Sequence, residues 1–205
     1  MTEKFIRDAV MMWVTIDPVG TLALFAAVTG SLTAEKRKKT AFKAALYASF
    51  ILIGSILIGQ FLLSVMDISL ISLQVAGGVV LFLFALQMIF SNPSQGDSQQ
   101  SESHHDLAVF PLAVPSIASP GAIMAVILLT DNHLYSIPVQ AGTTGVTLII
   151  LLITYILMLA ATPILRLIGK NGSAILIRVS GLILASLSVQ LVFEALELEH
   201  WVEPF

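Results

Sequence analysis

The stretch Ile16-Asp17-Pro18-Val19-Gly20-Thr21 interrupts an otherwise apolar segment near the amino terminus. It combines an aspartate, a proline and a glycine, and aspartate and proline are residue types that begin helices. A similar combination occurs 102 positions later, in Ala118-Ser119-Pro120-Gly121-Ala122. We predict that a helix ends and a new one begins at each place, inside a segment that crosses a membrane.

The composition predicts a membrane protein. Of the 205 residues, 57% are hydrophobic and only 11% are charged, whereas soluble domains carry about 25% charged residues. Each predicted span needs about 20 apolar residues, and continuous apolar runs lack the alternation of barrel strands. We therefore expect an all-α polytopic membrane protein with six transmembrane helices. The six predicted segments are 5–29, 41–65, 68–90, 107–130, 137–165 and 174–195.

Several function classes are disfavoured by the same sequence. The net charge is −3 and no basic patch is interleaved with aromatic residues, so nucleic acid is not an expected partner. Cysteine is missing, which excludes disulfides and thiolate metal sites. The adjacent His104 and His105 do not make a metal site, and Ser119 has no evident base beside it. We predict no enzyme activity, no cofactor and no metal.

The two interrupted segments suggest an internal repeat. The offset of 102 aligns residue 5 with residue 107, where the first and fourth segments begin. Each interruption then lies about 12 residues, roughly 18 Å of helix, from the start of its segment, near the middle of a bilayer. Three spans per unit is an odd number, so the second unit must be inverted. We predict repeats over 1–90 and 107–205, joined by a flexible linker over 91–106 in one integrated membrane domain.

Charge sets the predicted orientation. With six spans, the 1–2, 3–4 and 5–6 connections share one side of the membrane and both termini lie on the other. The basic residues on the side of the termini are Lys4 and Arg7 only. The positive-inside rule therefore places the termini outside and these three connections in the cytoplasm. The basic residues of the predicted cytoplasmic side are Lys36, Arg37, Lys38, Lys39, Lys43, Arg166 and Lys170.

Five motifs together resemble the MarC family of bacterial integral membrane proteins. They are Asp17-Pro18-Val19-Gly20, the basic loop after it, Val75-Ala76-Gly77-Gly78, Phe110-Pro111-Leu112-Ala113-Val114-Pro115 and Ser119-Pro120-Gly121. The resemblance covers nearly the whole chain. It implies a six-span protein of the bacterial inner membrane, and some family members are described as transporters of glycine and alanine. Two positions depart from the family pattern, because Thr21 replaces a frequent asparagine and Ser119 replaces a frequent glycine.

The repeat and the resemblance lead to a functional hypothesis. Inverted repeats with discontinuous helices at the midplane are typical of secondary transporters. We expect a small neutral amino acid of glycine or alanine type, with H⁺ or Na⁺ as the coupling ion. The expected carrier of that ion is Asp17, since a carboxyl group inside a bilayer is costly and usually functional. The predicted substrate-binding residues are Asp17, Pro18, Gly20, Thr21, Ser119, Pro120, Gly121 and Ala122.

The hypothesis assigns each end of the substrate to one interruption. The substrate carboxylate would meet the N–H groups of Gly121 and Ala122, at the positive end of the second new helix. The ammonium would meet Asp17 or the carbonyls of Thr15 and Ile16. Three alternatives stay open: a non-transporting scaffold or regulator, a channel, and an exporter of an unrelated small molecule. The lipid bilayer is an expected partner, and a homo-oligomer also stays open.

Overall fold

The structure, a computed structural model, describes residues 2–90 and 106–196, and within these ranges the chain forms helices and no strand. The predicted linker, with His104 and His105, lies outside the described residues up to position 105, as does the tail from 197. The elements in chain order are α1 (Thr2–Ile16), α2 (Pro18–Thr29), α3 (Ala34–Val65), α4 (Leu70–Phe90), an irregular helical segment (Ala108–Ile117), α5 (Pro120–Leu129), α6 (Ile137–Leu159) and α7 (Ala161–Ala195).

The described residues contain five to six candidate spans, where six were predicted. Five stretches are long and apolar enough to cross a membrane by themselves. The irregular segment and α5 pass the same test only as a pair, with a bend of 52° between them, and count as a sixth candidate if the pair is one span. The predicted class, an all-helical polytopic membrane protein, is confirmed at this level. The five candidates are Thr2–Ala26, Ala34–Val65, Leu70–Phe90, Ile137–Leu159 and Arg178–Ala195, and the first of them contains the junction of α1 and α2.

One helix starts earlier than its apolar run suggests. The second span was predicted from residue 41, whereas α3 begins at Ala34. Thr33 caps this end, because its hydroxyl accepts a hydrogen bond from the Lys36 N–H at 3.4 Å. The extra two turns are polar, so hydrophobicity alone could not reveal them, while a threonine at the cap position could.

The fifth predicted span was wrong at its carboxyl end. It was expected to run to residue 165, but α6 ends at Leu159 and α7 begins at Ala161. Pro163 explains the difference, since a proline is tolerated in the first turn of a helix and not in its interior. The predicted connection over 166–173 falls inside α7, which is interrupted at Gly169 with φ 72° and ψ 173°.

The short helix α5 lies at the centre of the molecule. Almost all of its ten residues are apolar, and seven of them are buried. A helix that is hydrophobic on every side is buried on every side. It packs against α1, α3 and α4, and the irregular segment packs against α2 and α3. The centre of the fold is therefore the place where the second predicted interruption lies.

Two apolar clusters surround this centre. The larger joins α1, α2, α3, α5 and α6 and includes Met12, Phe25 and Leu52. The smaller joins α4, α5 and α7 and includes Leu81 and Leu184. Many large apolar side chains face outward instead, as expected of a surface that meets lipid.

Candidate functional site

The first helix break is at Asp17. Its backbone is left-handed, with φ 47° and ψ 70°, so the α1 geometry cannot continue through it. Pro18 is the first residue of α2, and Asp17 Oδ1 accepts a hydrogen bond from the Gly20 N–H at 3.0 Å. Aspartate is among the best residues for this cap, and proline fits the first helical position. The sequence thus specifies a new helix start here.

The second break repeats this arrangement. Ser119 has extended backbone geometry, with φ −67° and ψ 156°, and Pro120 is the first residue of α5. The Ser119 hydroxyl accepts a hydrogen bond from the Ala122 N–H at 3.0 Å. In both places the cap bonds the amide three residues later, and the two caps are 102 positions apart. The two new helices therefore share a capping bond and a first-position proline, although the backbone of the cap residue differs between them.

The two helix starts are joined directly by hydroxyl groups. Ser119 Oγ donates to the backbone carbonyl of Thr15 in the last turn of α1, 2.9 Å away. The hydroxyls of Thr21 and Ser116 lie 3.0 Å apart and share a second hydrogen bond. All four residues are buried. Since α1 is broken at Asp17, its last carbonyls need partners from outside the helix, and the second break supplies one of them.

This arrangement occupies several groups that were predicted to meet a substrate. The Thr15 carbonyl accepts from Ser119, and the Ile16 carbonyl lies 3.4 Å from the Thr21 hydroxyl. The Ala122 N–H donates to Ser119 Oγ. A carbonyl oxygen has a second lone pair and can accept once more, whereas an amide has one proton. The Gly121 N–H lies in the first turn of α5, where an amide has no acceptor within its own helix.

The eight predicted site residues differ in accessibility. Asp17 and Gly20 are partly buried, and Pro120 is exposed. The bond of Asp17 to Gly20 is local, so the contact between the two breaks runs through other side chains. The structure therefore brings Ser119 to the Thr15 carbonyl, which the hypothesis had placed at the site, and Thr21 to Ser116, which it had not. The buried members of the predicted set are Pro18, Thr21, Ser119, Gly121 and Ala122.

Both glycines of the predicted site pack against α4. A methyl group added at Gly20 would collide with the Asp17 carboxylate and would lie 3.1 Å from Met88 Cε. A methyl group added at Gly121 would collide with the side chain of Leu81. A side chain at either position would therefore force a neighbouring side chain to shift, although the backbone there is ordinary helix.

A buried ion pair near the amino-terminal end of α1 was not predicted. Asp8 is 0% exposed, and its Oδ2 atom is 2.6 Å from Lys4 Nζ and 2.7 Å from the Thr143 hydroxyl, which donates to it. Lys4 Nζ also lies 3.3 Å from the carbonyl of Leu129. Asp8 Oδ1 has no hydrogen-bond partner in the described structure. The pair therefore fastens α1 to α5 and α6.

Two glutamines inside spans serve as bonds between helices. Gln60 Nε2 donates to the carbonyls of Ile127 and Thr130, at 3.2 and 3.0 Å, so it closes the carboxyl end of α5. Gln74 Nε2 donates to the Leu191 carbonyl of α7 at 3.0 Å. Within 2–90 and 106–196, no three side chains among His, Asp and Glu are grouped as a metal site requires.

Apolar outer faces, an all-helical fold and five to six candidate spans define a polytopic α-helical integral membrane protein. The chain belongs to the MarC family: the family sequence model described as "MarC family integral membrane protein" matches residues 2–199. This confirms the resemblance inferred from the motifs.

Curated relatives extend over the same length. A UPF0056 membrane protein of Archaeoglobus fulgidus is 31% identical, with 94% of this chain and 92% of the relative covered. The UPF0056 inner membrane protein YhgN of Escherichia coli K12 is 28% identical, with 96% and 98% covered. The UPF0056 membrane protein YvbG of Bacillus subtilis is 29% identical, with 94% and 93% covered. No solved structure matches the chain.

Proposed function

We propose that this protein is a secondary transporter of a small solute in the bacterial inner membrane, which binds its substrate between the two helix starts and works by alternating access. The observation that carries the proposal is the pair of hydroxyl-mediated bonds, Ser119 to Thr15 and Thr21 to Ser116, between two capped helix starts. A polar junction buried among apolar helices is costly to build and is a natural place for a polar ligand.

The packing of the helices supports two inverted repeats. We pair α1 with the irregular segment 108–117, α2 with α5, α3 with α6, and α4 with α7. Under this pairing, the contact of α2 with α6 corresponds to that of α5 with α3. The contact of α2 with α7 corresponds to that of α5 with α4. The contact of α1 with α6 corresponds to that of the irregular segment with α3. A pseudo-twofold relation of this kind is what inverted repeats produce in transporters.

The hydroxyl bonds suggest how a substrate would enter. In the observed arrangement these two hydrogen bonds join the first repeat to the second. The structure therefore corresponds to a closed state of the proposed substrate site. A zwitterion could replace them in part: its ammonium would donate to the Thr15 carbonyl or to Asp17, and its carboxylate would accept from the Gly121 N–H. The contacts of Gly20 with Met88 and of Gly121 with Leu81 show that α4 packs closely against both helix starts. A small zwitterion of the glycine or alanine type has the two charged groups that this arrangement would bind.

Two alternatives from the sequence have their own expected behaviour. A non-transporting scaffold or regulator would keep its function when the charge of Asp17 is removed. An exporter of an unrelated small molecule would need Asp17 but would not move glycine or alanine. Gly20→Leu and Gly121→Leu are poorer discriminators, because the contact with Leu81 makes Gly121→Leu a test of packing as well.

The sharper test is uptake of labelled glycine and alanine into proteoliposomes by wild type, Asp17→Asn and Asp67→Asn. Asparagine caps helices as well as aspartate does, so Asp17→Asn removes the charge and keeps the helix start. Asp67 is a matched control, since it is exposed and also has a positive φ, of 54°. We expect uptake to fall at least tenfold in Asp17→Asn and to be unchanged in Asp67→Asn. Equal uptake by all three proteins would remove Asp17 from the mechanism, and no uptake by wild type would reject this substrate class.

In the proposed orientation both termini face outward. The 1–2 connection and the start of α3, with its four consecutive basic residues 36–39, then lie in the cytoplasm. This orientation is testable by labelling single cysteines introduced at Ser31 and Asn132, which lie in connections on opposite sides. The prediction is that only the cysteine at position 132 reacts with an impermeant reagent in whole cells.

A further inference from the structure

We infer that this protein carries a site for an anionic phospholipid, in a cavity between the ends of α2 and α6 and the start of α3. The cavity has a volume of about 110 Å³, enough for a group of phosphate size. This site is separate from the helix breaks, and the inference does not depend on transport. The lining residues that the argument uses are Phe25, Ala34, Arg37, Lys38, Leu159 and Thr162.

The charge of the cavity fits a phosphate. Arg37 and Lys38 both line it, and none of the lining residues is acidic. The Arg37 guanidinium is held in place, since its Nη1 atom donates to the Thr162 hydroxyl at 2.6 Å and its Cζ lies 5.6 Å from the centre of the Phe25 ring. An arginine fixed in this way keeps other N–H donors for an anion, because a guanidinium has five. Two cations and a fixed donor geometry are the features that recognise a phosphodiester.

The neighbouring surface favours a lipid over free phosphate. Leu159 lines the cavity and is 42% exposed, and Ile156 and Leu152 are exposed on the same side of α6. Their spacing of three and four residues forms a continuous apolar stripe that leads away from the cavity along the membrane span. A phospholipid would place its phosphate against Arg37 and Lys38 and an acyl chain along this stripe. Basic pockets between membrane helices on the cytoplasmic side bind such headgroups, and the orientation proposed above puts the cavity on that side.

The test is binding of phosphatidylglycerol, phosphatidylcholine and inorganic phosphate to the purified full chain, measured by native mass spectrometry and by thermal unfolding. Lys38→Gln removes one lining charge. Ala34→Phe fills the cavity without changing charge, and Lys39→Gln is the matched control because Lys39 is a neighbouring exposed lysine paired with Glu35. Unfolding of each unliganded variant reports whether it is folded.

We expect phosphatidylglycerol to bind wild type at least fivefold more tightly than phosphatidylcholine. Its affinity should fall at least fivefold in Lys38→Gln and in Ala34→Phe, and should be unchanged in Lys39→Gln. An equal loss in Lys38→Gln and Lys39→Gln would mean general surface electrostatics and would overturn the site. Full competition by inorganic phosphate at the same concentration as the lipid would overturn the lipid as ligand.

Discussion

The hydroxyl of Ser119 donates a hydrogen bond to the backbone carbonyl of Thr15 across 2.9 Å, so the cap of one helix start also closes the broken end of another helix. These residues are 104 positions apart in the chain. The same hydroxyl accepts from the Ala122 N–H. One side chain therefore stabilises α5 and fastens it to α1.

Replacement of Ser119 by alanine removes both bonds. We expect the free energy of unfolding to fall by about 2–3 kcal/mol, because a helix cap is lost and the buried Thr15 carbonyl loses its partner. The measurement is reversible unfolding in mixed detergent micelles. Ser136→Ala is the matched control, since Ser136 stands at the start of α6 without a side-chain cap bond. Equal losses in the two variants would contradict the role of Ser119.

The Lys4–Asp8 pair gives a second stability prediction. Lys4→Met leaves a fully buried carboxylate without its cation, which should cost about 3–5 kcal/mol of unfolding free energy. The double variant Lys4→Met, Asp8→Leu should recover most of this loss, because no charge is then left buried.

The control for this pair lies on the surface. Lys39 and Glu35 have the same spacing of four residues, but their side chains are 72% and 79% exposed. Lys39→Met should change the unfolding free energy by less than about 1 kcal/mol. If Lys4→Met were as mild as Lys39→Met, the buried pair would not fasten α1 in the way its geometry indicates.

Glycine substitutions test the tight contacts at the two helix starts. Gly121→Ala should be strongly destabilising, because its methyl group collides with Leu81, and Leu81→Ala should partly rescue it. Gly145→Ala is the control, since nothing lies within 4 Å of a methyl group there. These effects are measured as melting temperatures of wild type, Gly121→Ala, the double variant Gly121→Ala, Leu81→Ala, and Gly145→Ala. A loss of the same size in Gly145→Ala would mean that glycine is needed for reasons other than the contact.

Asp106 supports a prediction about pH at the start of the second half. A hydrogen bond from Lys43 Nζ at 2.8 Å and one from the Ala108 N–H lower the pKa of the Asp106 carboxyl. Its contribution to stability is then complete above the unfolded pKa, about 3.9, and is lost as the pH falls through the lower folded value. The carboxyl ¹³C shift of Asp106 should stay constant from pH 8 to pH 5, and a titration step inside that window would contradict the ion pair.

Much of the fold follows from composition and cap residues. The apolar runs predict the spans, and Asp17-Pro18 and Ser119-Pro120 predict two helix starts whose cap bonds the structure contains. The partners across the breaks were harder to foresee. Thr15 and Ser116 are polar residues inside spans, but such residues are common there, and only the packing of α1 against α5 brings Ser119 to the Thr15 carbonyl.

Asp8 shows a similar limit. It lies in the first turns of the first span, where an acidic residue next to Lys4 and Arg7 resembles a solvated helix end. Its burial depends on α6, which covers it with Thr143, a residue 135 positions away. A lysine four residues before an aspartate was the available signal, and it cannot distinguish an exposed pair from a buried one.

The most direct test of the central claim uses the contact between Thr21 and Ser116, whose hydroxyls are 3.0 Å apart. Because the chain has no cysteine, Thr21→Cys, Ser116→Cys introduces one pair into a clean background. Alternating access between the two halves requires this contact to open. Exchange of glycine or alanine in proteoliposomes should stop when the pair is oxidised and return when it is reduced, while equal exchange by the oxidised and reduced protein would contradict the account.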